Sequence, residues 1–165
     1  MKIMSLLLIL TAACSCCSAS NQLRREAEYY VAEYAQRYNV PVEFVRAVVE
    51  QESAWQQCPV SPKGAAGLMQ LMPDTARRLN VQDRCDVNQN VSGGVRYLAW
   101  LMTKFDGDLR LVAAAYYEGE HTIDARRLKY SNPDVVAYVI SIRERFERQK
   151  RFRTVTVQGI PWRTR

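Results

Sequence analysis

The chain has little of what metal and redox chemistry requires. It holds one histidine, His121, and five cysteines in 165 residues, with no cluster at metal-ligand spacing. No metal and no cofactor is expected. Long apolar runs are missing too: the stretch from Ile3 to Ala13 is too short to span a bilayer. There is no internal repeat and no low-complexity block, which excludes a solenoid and leaves no boundary for a second domain. A length of 165 residues at 48% hydrophobic content suits one domain with a substantial core.

Residues 1–20 have the form of an export signal. Lys2 supplies a positive start, Ile3 to Ala13 an apolar centre, and Ser18-Ala19-Ser20 the small residues of a cleavage site. Cys14, preceded by Thr11-Ala12-Ala13, also permits a lipoprotein signal ending before Cys14, although Thr11 stands where such sites usually carry leucine. On either reading the protein is exported to the periplasm, with a membrane association only if Cys14 is lipidated. Cys58 and Cys85 are then the two cysteines of the body, an even number in an oxidising compartment, and are expected to pair. The alternative is two unrelated buried thiols.

Charge is the other asymmetry. The net charge is +6, and from Arg143 onward eight basic residues face two acidic ones. Such a run suits an anionic polymer or surface, or is simply a solvated helix end followed by a basic tail over 151–165. No nucleic-acid motif accompanies it, and none is expected as a partner.

The folded part, 21–150, has the pattern of an all-α domain. Apolar spacing predicts an amphipathic helix from Leu23 to Tyr38 and another entered at Pro41. A short helix is predicted around Asp74–Leu79. Asn88 or Asn90 is placed to cap a helix running to Phe105, whose Gly93-Gly94 pair implies close helix–helix contact or a loose start. Asp108 caps the next helix through Tyr116, and Asn132-Pro133 opens the last. Thr154 to Val157 alternates like a strand. Trp55 and Trp100 are read as buried.

One carboxylate stands out. Val45, Val48, Val49 and Glu52 share a helix face, so Glu52 falls on the buried side. Burial disfavours the charged form and raises a carboxyl pKa toward what a general acid needs. The plainer alternative is a helix-end Glu that bonds the next loop or pairs with an arginine. After Glu52 comes Ser61-Pro62-Lys63-Gly64-Ala65-Ala66-Gly67-Leu68-Met69-Gln70, a segment with almost no bulk before Leu68, through which backbone can approach a neighbour or ligand closely.

Glu52-Ser53, followed by Ser61-Pro62-x-Gly64-Ala65-x-Gly67-Leu68-Met69-Gln70-Leu71-Met72-Pro73-x-Thr75-Ala76, resembles the signature of the soluble lytic transglycosylases, which have a goose-lysozyme-like fold and cleave the glycan strands of peptidoglycan. Val91-x-Gly93-Gly94-x-Arg96-Tyr97-Leu98, Phe105-x-Gly107-Asp108-Leu109 and the pair Tyr138-Val139 extend the likeness from about Val40 to Phe146. The resemblance implies one all-α, lysozyme-like domain around a substrate cleft. It implies Glu52 as the catalytic acid and then base, cleaving between N-acetylmuramic acid and N-acetylglucosamine without water to leave a 1,6-anhydro end. Ser61 and Gln70 would hydrogen-bond the sugars, Met69, Leu71 and Met72 would wall the site, and Tyr116 and Tyr138 would lie near the carboxylate. For the methionines and Tyr138, core packing is the competing role. Peptidoglycan is the implied partner, with a secretion, conjugation or pilus machine as the wider setting.

The departures lie in one segment. Ala114-Ala115-Tyr116-Tyr117-Glu118-Gly119 stands where relatives usually read Ala-Ala-Tyr-Asn-Ala-Gly, and Glu120 replaces a proline. Glu118 raises a second possibility, a hydrolytic muramidase in which that acid positions water. A non-catalytic wall-binding module is the third.

Overall fold

The computed structural model describes residues 21–158, with side chains described through Phe152. The signal and lipidation expectations for 1–20, and the last residues of the basic tail, lie outside the described residues. Helix α1 covers 21–37 and buries Ala27, Val31 and Ala35, one every four residues, as an amphipathic helix should. It is tied to the rest of the fold by Glu28 with Arg46 at 2.8 Å and by the Tyr34 hydroxyl donating to Asn88 Oδ1 at 2.6 Å.

Helix α2, Val42–Ser53, carries Phe44, Val45, Ala47, Val48 and Val49 into the core. Each such valine contributes roughly 1.5–3 kcal/mol by leaving water. Pro41 serves as its N-cap, one position before the expected first turn. After a loop and the short α3, Pro73–Arg78, comes α4, Val87–Lys104. Its cap is Asp86, whose carboxylate accepts from Gln89 N at 2.8 Å. Asn88 and Asn90 are therefore inside the helix. The expectation of an asparagine cap fails because Asp86, two residues before Asn88, takes the first-turn donor Gln89 N.

Helix α5, Leu109–Glu118, is capped by Asp108 as expected and buries five consecutive residues, Leu111 to Ala115. A helix apolar all round belongs at the centre of a fold. Short α6, Glu120–Arg126, and a 3-10 turn, Arg127–Lys129, lead to α7, Pro133–Gln158. Helix α7 packs on α2 and α5, and Phe44 meets Phe146 edge-on at 6.1 Å. Residues 154–157 continue this helix, which overturns the strand reading. Alternation alone does not hold an isolated strand, whereas each added helical residue gains a backbone hydrogen bond.

The loop between α2 and α3 is where glycine matters. Gly67 has φ +83°, and a Cβ there would collide with the Arg84 carbonyl and the Asn90 amide. Gly94 meets the Met69 side chain, and Gly93 faces Val81 and Leu71. The close contact implied by the glycine pair exists, but its partners are this loop and Val81 in the connection after α3 rather than another helix. Cys58 and Cys85 form a disulfide, Cα–Cα 5.0 Å, that closes the whole segment. Trp55 is buried as expected. Trp100 is 45% exposed, against expectation, because it stacks outward on Tyr97 at 5.9 Å instead of pointing into the core.

Candidate active site

Helix α2 delivers Glu52 in its last turn. There the free carbonyls make a partly negative environment, and the carboxyl is largely shielded from water. Burial is the larger influence and pushes its pKa up to about 7. The Tyr138 hydroxyl, donating to Glu52 Oε1, opposes it. Glu52 thus holds a proton near neutrality yet can release it. Structural ion pairing, the plainer role considered for this residue, is absent from its described contacts. That role falls to Glu50, which meets Arg148 at 2.6 Å and Arg145 at 3.8 Å. Part of the basic run is thereby fastened to α2.

The chain leaves α2 through two non-glycine residues in left-handed conformation, Ala54 at φ 49° and Trp55 at φ 66°. Each costs on the order of 1–2 kcal/mol. Ser53 Oγ accepts from Trp55 N at 3.0 Å and donates to Val49 O at 3.0 Å, and the Arg24 guanidinium lies 3.7 Å over the Trp55 ring. This turn directs the chain away from the helix immediately after Glu52, so that the carboxyl is left at an open end.

Opposite stands the small-residue loop. Ala66 and Leu71 exchange backbone hydrogen bonds at 3.1 and 3.0 Å, and Ser61 and Ala65 close the turn at Gly64. Ser61 Oγ accepts from Ala65 N at 3.0 Å, so its oxygen already shapes the turn. Gln70 gives its amide hydrogens to Pro59 O at 2.8 Å and Gly67 O at 3.0 Å, leaving its carbonyl oxygen as the polar atom for a ligand. Met69 and Leu71 are buried, so they are core, whereas Met72 is 42% exposed.

Asn90 holds this loop, and sequence reasoning missed it. Buried on α4, it accepts from Met69 N at 2.8 Å and donates to Ala66 O at 3.0 Å and Arg84 O at 2.8 Å. A single amide thus satisfies three groups of the loop and its far anchor. The signal was an asparagine in an apolar helix face, which is unfavourable there unless its side chain has partners.

Helices α5 and α7 complete the site. The Tyr116 hydroxyl donates to Met69 O at 2.7 Å, and burial and the nearby Glu52 raise its pKa well above the usual phenol value. Tyr97 lies 5.5 Å from Tyr116, ring to ring, and donates to the buried Glu120 at 2.9 Å, which Arg78 meets at 3.0 Å. Glu120, a departure from the family pattern, is therefore tied into the site's support. Glu118 lies two residues from Tyr116, on another side of α5, where Asn132 donates to it at 3.4 Å. The Tyr117 ring lies 4.8 Å from that of Tyr138. Beside them Gln51, Asp134, Ala137 and Ser141 line a cavity of about 320 Å³. Among the described residues no group of three or more His, Cys, Asp or Glu could hold a metal ion, and no helix is long and apolar enough to cross a membrane.

An all-α bundle with one poised carboxyl at a helix end, faced by a small-residue loop and two tyrosines, is the lysozyme-like fold. Two of the solved proteins that share it illustrate the likeness. They are an inactive mutant of the lytic transglycosylase Slt of Pseudomonas aeruginosa (TM-score 0.68, 21% identity, 76% of this chain and 24% of that one) and the 70 kDa soluble lytic transglycosylase of Escherichia coli (TM-score 0.67, 23% identity, 74% and 24%). The Transglycosylase SLT domain family matches residues 29–136, and the chain belongs to it. A membrane-bound lytic murein transglycosylase F of Pectobacterium atrosepticum is 37% identical over 124 residues, 68% of this chain and 25% of the relative. The chain spans about a quarter of the length of the curated relatives it matches.

Proposed function

We propose that the protein is a peptidoglycan lytic transglycosylase. The observation that carries this reading is Glu52, protonated up to about pH 7 and hydrogen-bonded by Tyr138. Glu52 gives its proton to the glycosidic oxygen as the bond from C1 of N-acetylmuramic acid breaks, and N-acetylglucosamine departs as an alcohol. The positive charge at C1 is shared with the ring oxygen and the 2-acetamido group. Glu52, now a carboxylate, takes the proton of the 6-hydroxyl while O6 bonds to C1. The acid is restored, the 1,6-anhydro ring is closed and no water is consumed. A single carboxyl suffices for both transfers. Two-carboxylate hydrolysis needs a second acid across the bond, and Glu118 is engaged with Asn132 instead.

Tyr116 and Tyr138 would steady the carboxyl as its charge changes. Ser61, through its hydroxyl hydrogen, and Gln70, through its carbonyl oxygen, would meet the sugars, with Met72 as an apolar wall. The signal-like 1–20 segment and the Cys58–Cys85 bridge support a periplasmic setting, where such an enzyme would open the wall for a secretion, conjugation or pilus machine. Radiolabelled fatty acid incorporated by wild type and lost in Cys14→Ser would establish the lipid anchor.

The deciding experiment is mass spectrometry of fragments released from purified peptidoglycan by wild type and Glu52→Gln. Anhydromuramic ends from wild type alone are expected. Reducing ends would make the protein a hydrolase, and turnover surviving in Glu52→Gln would remove Glu52 from the reaction.

A further inference from the structure

Tyr117 has no part in the chemistry above, and no asparagine function can be inherited by a phenol ring. Its position is nevertheless specific. It is 46% exposed, yet its ring packs at 4.8 Å and a 31° tilt on Tyr138, which is 6% exposed and whose hydroxyl meets Glu52. An aromatic left so far in water gains little from burial, and its main packing partner here is the other ring. The two rings come from different helices, and the cavity beside them offers Tyr138 room to tilt away.

We propose that Tyr117 is a positioning residue that acts on Glu52 through Tyr138, its stacked ring keeping the Tyr138 hydroxyl on the carboxyl. The proposal rests on reading Glu52 as the acid. The groups facing Glu52 are Tyr116 from α5 and Tyr138 from α7. Asp134 and Ser141 of α7 and Gln51 of α2 line the adjoining cavity, and Tyr117 touches Tyr138. Of these contacts, the Tyr138 hydrogen bond favours the charged carboxylate and offsets part of the effect of burial. Removing the ring that holds Tyr138 weakens that bond, so the carboxyl titrates at higher pH. Water entering the vacated space would act in the opposite direction. The sign of the shift therefore distinguishes the two.

The test is a ¹³C-carboxyl NMR titration of Glu52, assigned with Glu52→Gln, in wild type, Tyr117→Phe, Tyr117→Ala and Tyr117→Asn. It is paired with kcat and KM on soluble glycan strands. Phe is expected to match wild type. Ala and Asn are expected to move the Glu52 midpoint up by about half a unit and to lower kcat while leaving KM unchanged. A midpoint that stays or falls in Ala overturns the proposal. So does Phe behaving like Ala, which would make the hydroxyl the active part, or a KM rise at constant kcat, which would make Tyr117 a direct sugar contact. The titration is independent of turnover, so an inactive wild type would defeat the enzymatic reading while still showing whether Tyr117 positions Glu52.

Discussion

A carboxyl kept protonated near neutrality costs its own fold stability, and at Glu52 that cost has a sign and a window. The folded pKa of about 7 lies above the unfolded value of 4.5, so the folded state binds the extra proton between them. Stability from this group is full below about pH 4.5 and is lost as pH rises through 7. Glu52→Gln mimics the neutral acid. It is expected to be more stable than wild type at pH 8, by about 3 kcal/mol, with the difference vanishing at pH 4. Thermal melts at both pH values check this, and equal melts at pH 8 would mean the carboxyl is not desolvated. Tyr138→Phe removes the hydrogen bond that holds the pKa down. The alkaline limb of the activity profile is then expected to move upward as kcat falls. Glu52 was legible from the spacing of Val45, Val48 and Val49. Its partner Tyr138, 86 residues away, was reached only through the family resemblance, because nothing in local pattern joins the two.

The loop from Ala54 to Met72 shows what patterning misses in an element. Its small residues announced close approach, and Gly67 and Gly94 confirm where that approach is tightest. Left out was the anchor, since an asparagine near a helix start reads as a cap when Asp86 is overlooked. Asn90→Ala strips the amide from Met69 N and from the Arg84 carbonyl, while the Ala66 carbonyl keeps its bond from Leu71 N. With two buried polar groups left unsatisfied at about 1–3 kcal/mol each, a loss of about 2 kcal/mol or more is expected, with turnover falling as the loop loosens. Denaturant unfolding checks it, and a loss under 1 kcal/mol would show that water replaces the amide. Gly94→Ala is expected to cost about 1–3 kcal/mol against Met69 by overpacking, measurable in the same assay. Trp100 failed for a different reason: helical spacing assigns a face, and a large ring can still turn outward to stack.

Across the whole molecule, the two ends of the described chain converge on α2. Arg24 covers Trp55 from α1, outside the 29–136 family match, while Arg145 and Arg148 of α7 hold Glu50. The all-α class and the order of α1 to α5 and α7 were legible from their apolar stripes, whereas α6 and the 3-10 turn, which have no side-chain cap, were not. Convergence was not, because no local pattern joins Arg24 to Trp55, or Glu50 to Arg145 and Arg148 more than ninety positions away. The Cys58–Cys85 bridge closes a separation of 27 residues, worth about 3.5 kcal/mol in the chain-entropy model. Reduction, or replacement of both cysteines by serine, is expected to lower the melting temperature and slow turnover. Unchanged activity in reductant would show that the hydrogen bonds of Asn90, Arg84 and Tyr116 suffice to hold the loop.

The bridge also has a consequence in time. A newly made chain with separate thiols already has the α2 residues that carry the acid, but the segment facing that acid lacks its covalent fastening and is held by hydrogen bonds such as those of Asn90. On the proposed function, oxidation would then be an arming step. A glycan-cutting protein assembled this way would stay blunt inside the cell that makes it and sharpen only on arrival at the wall.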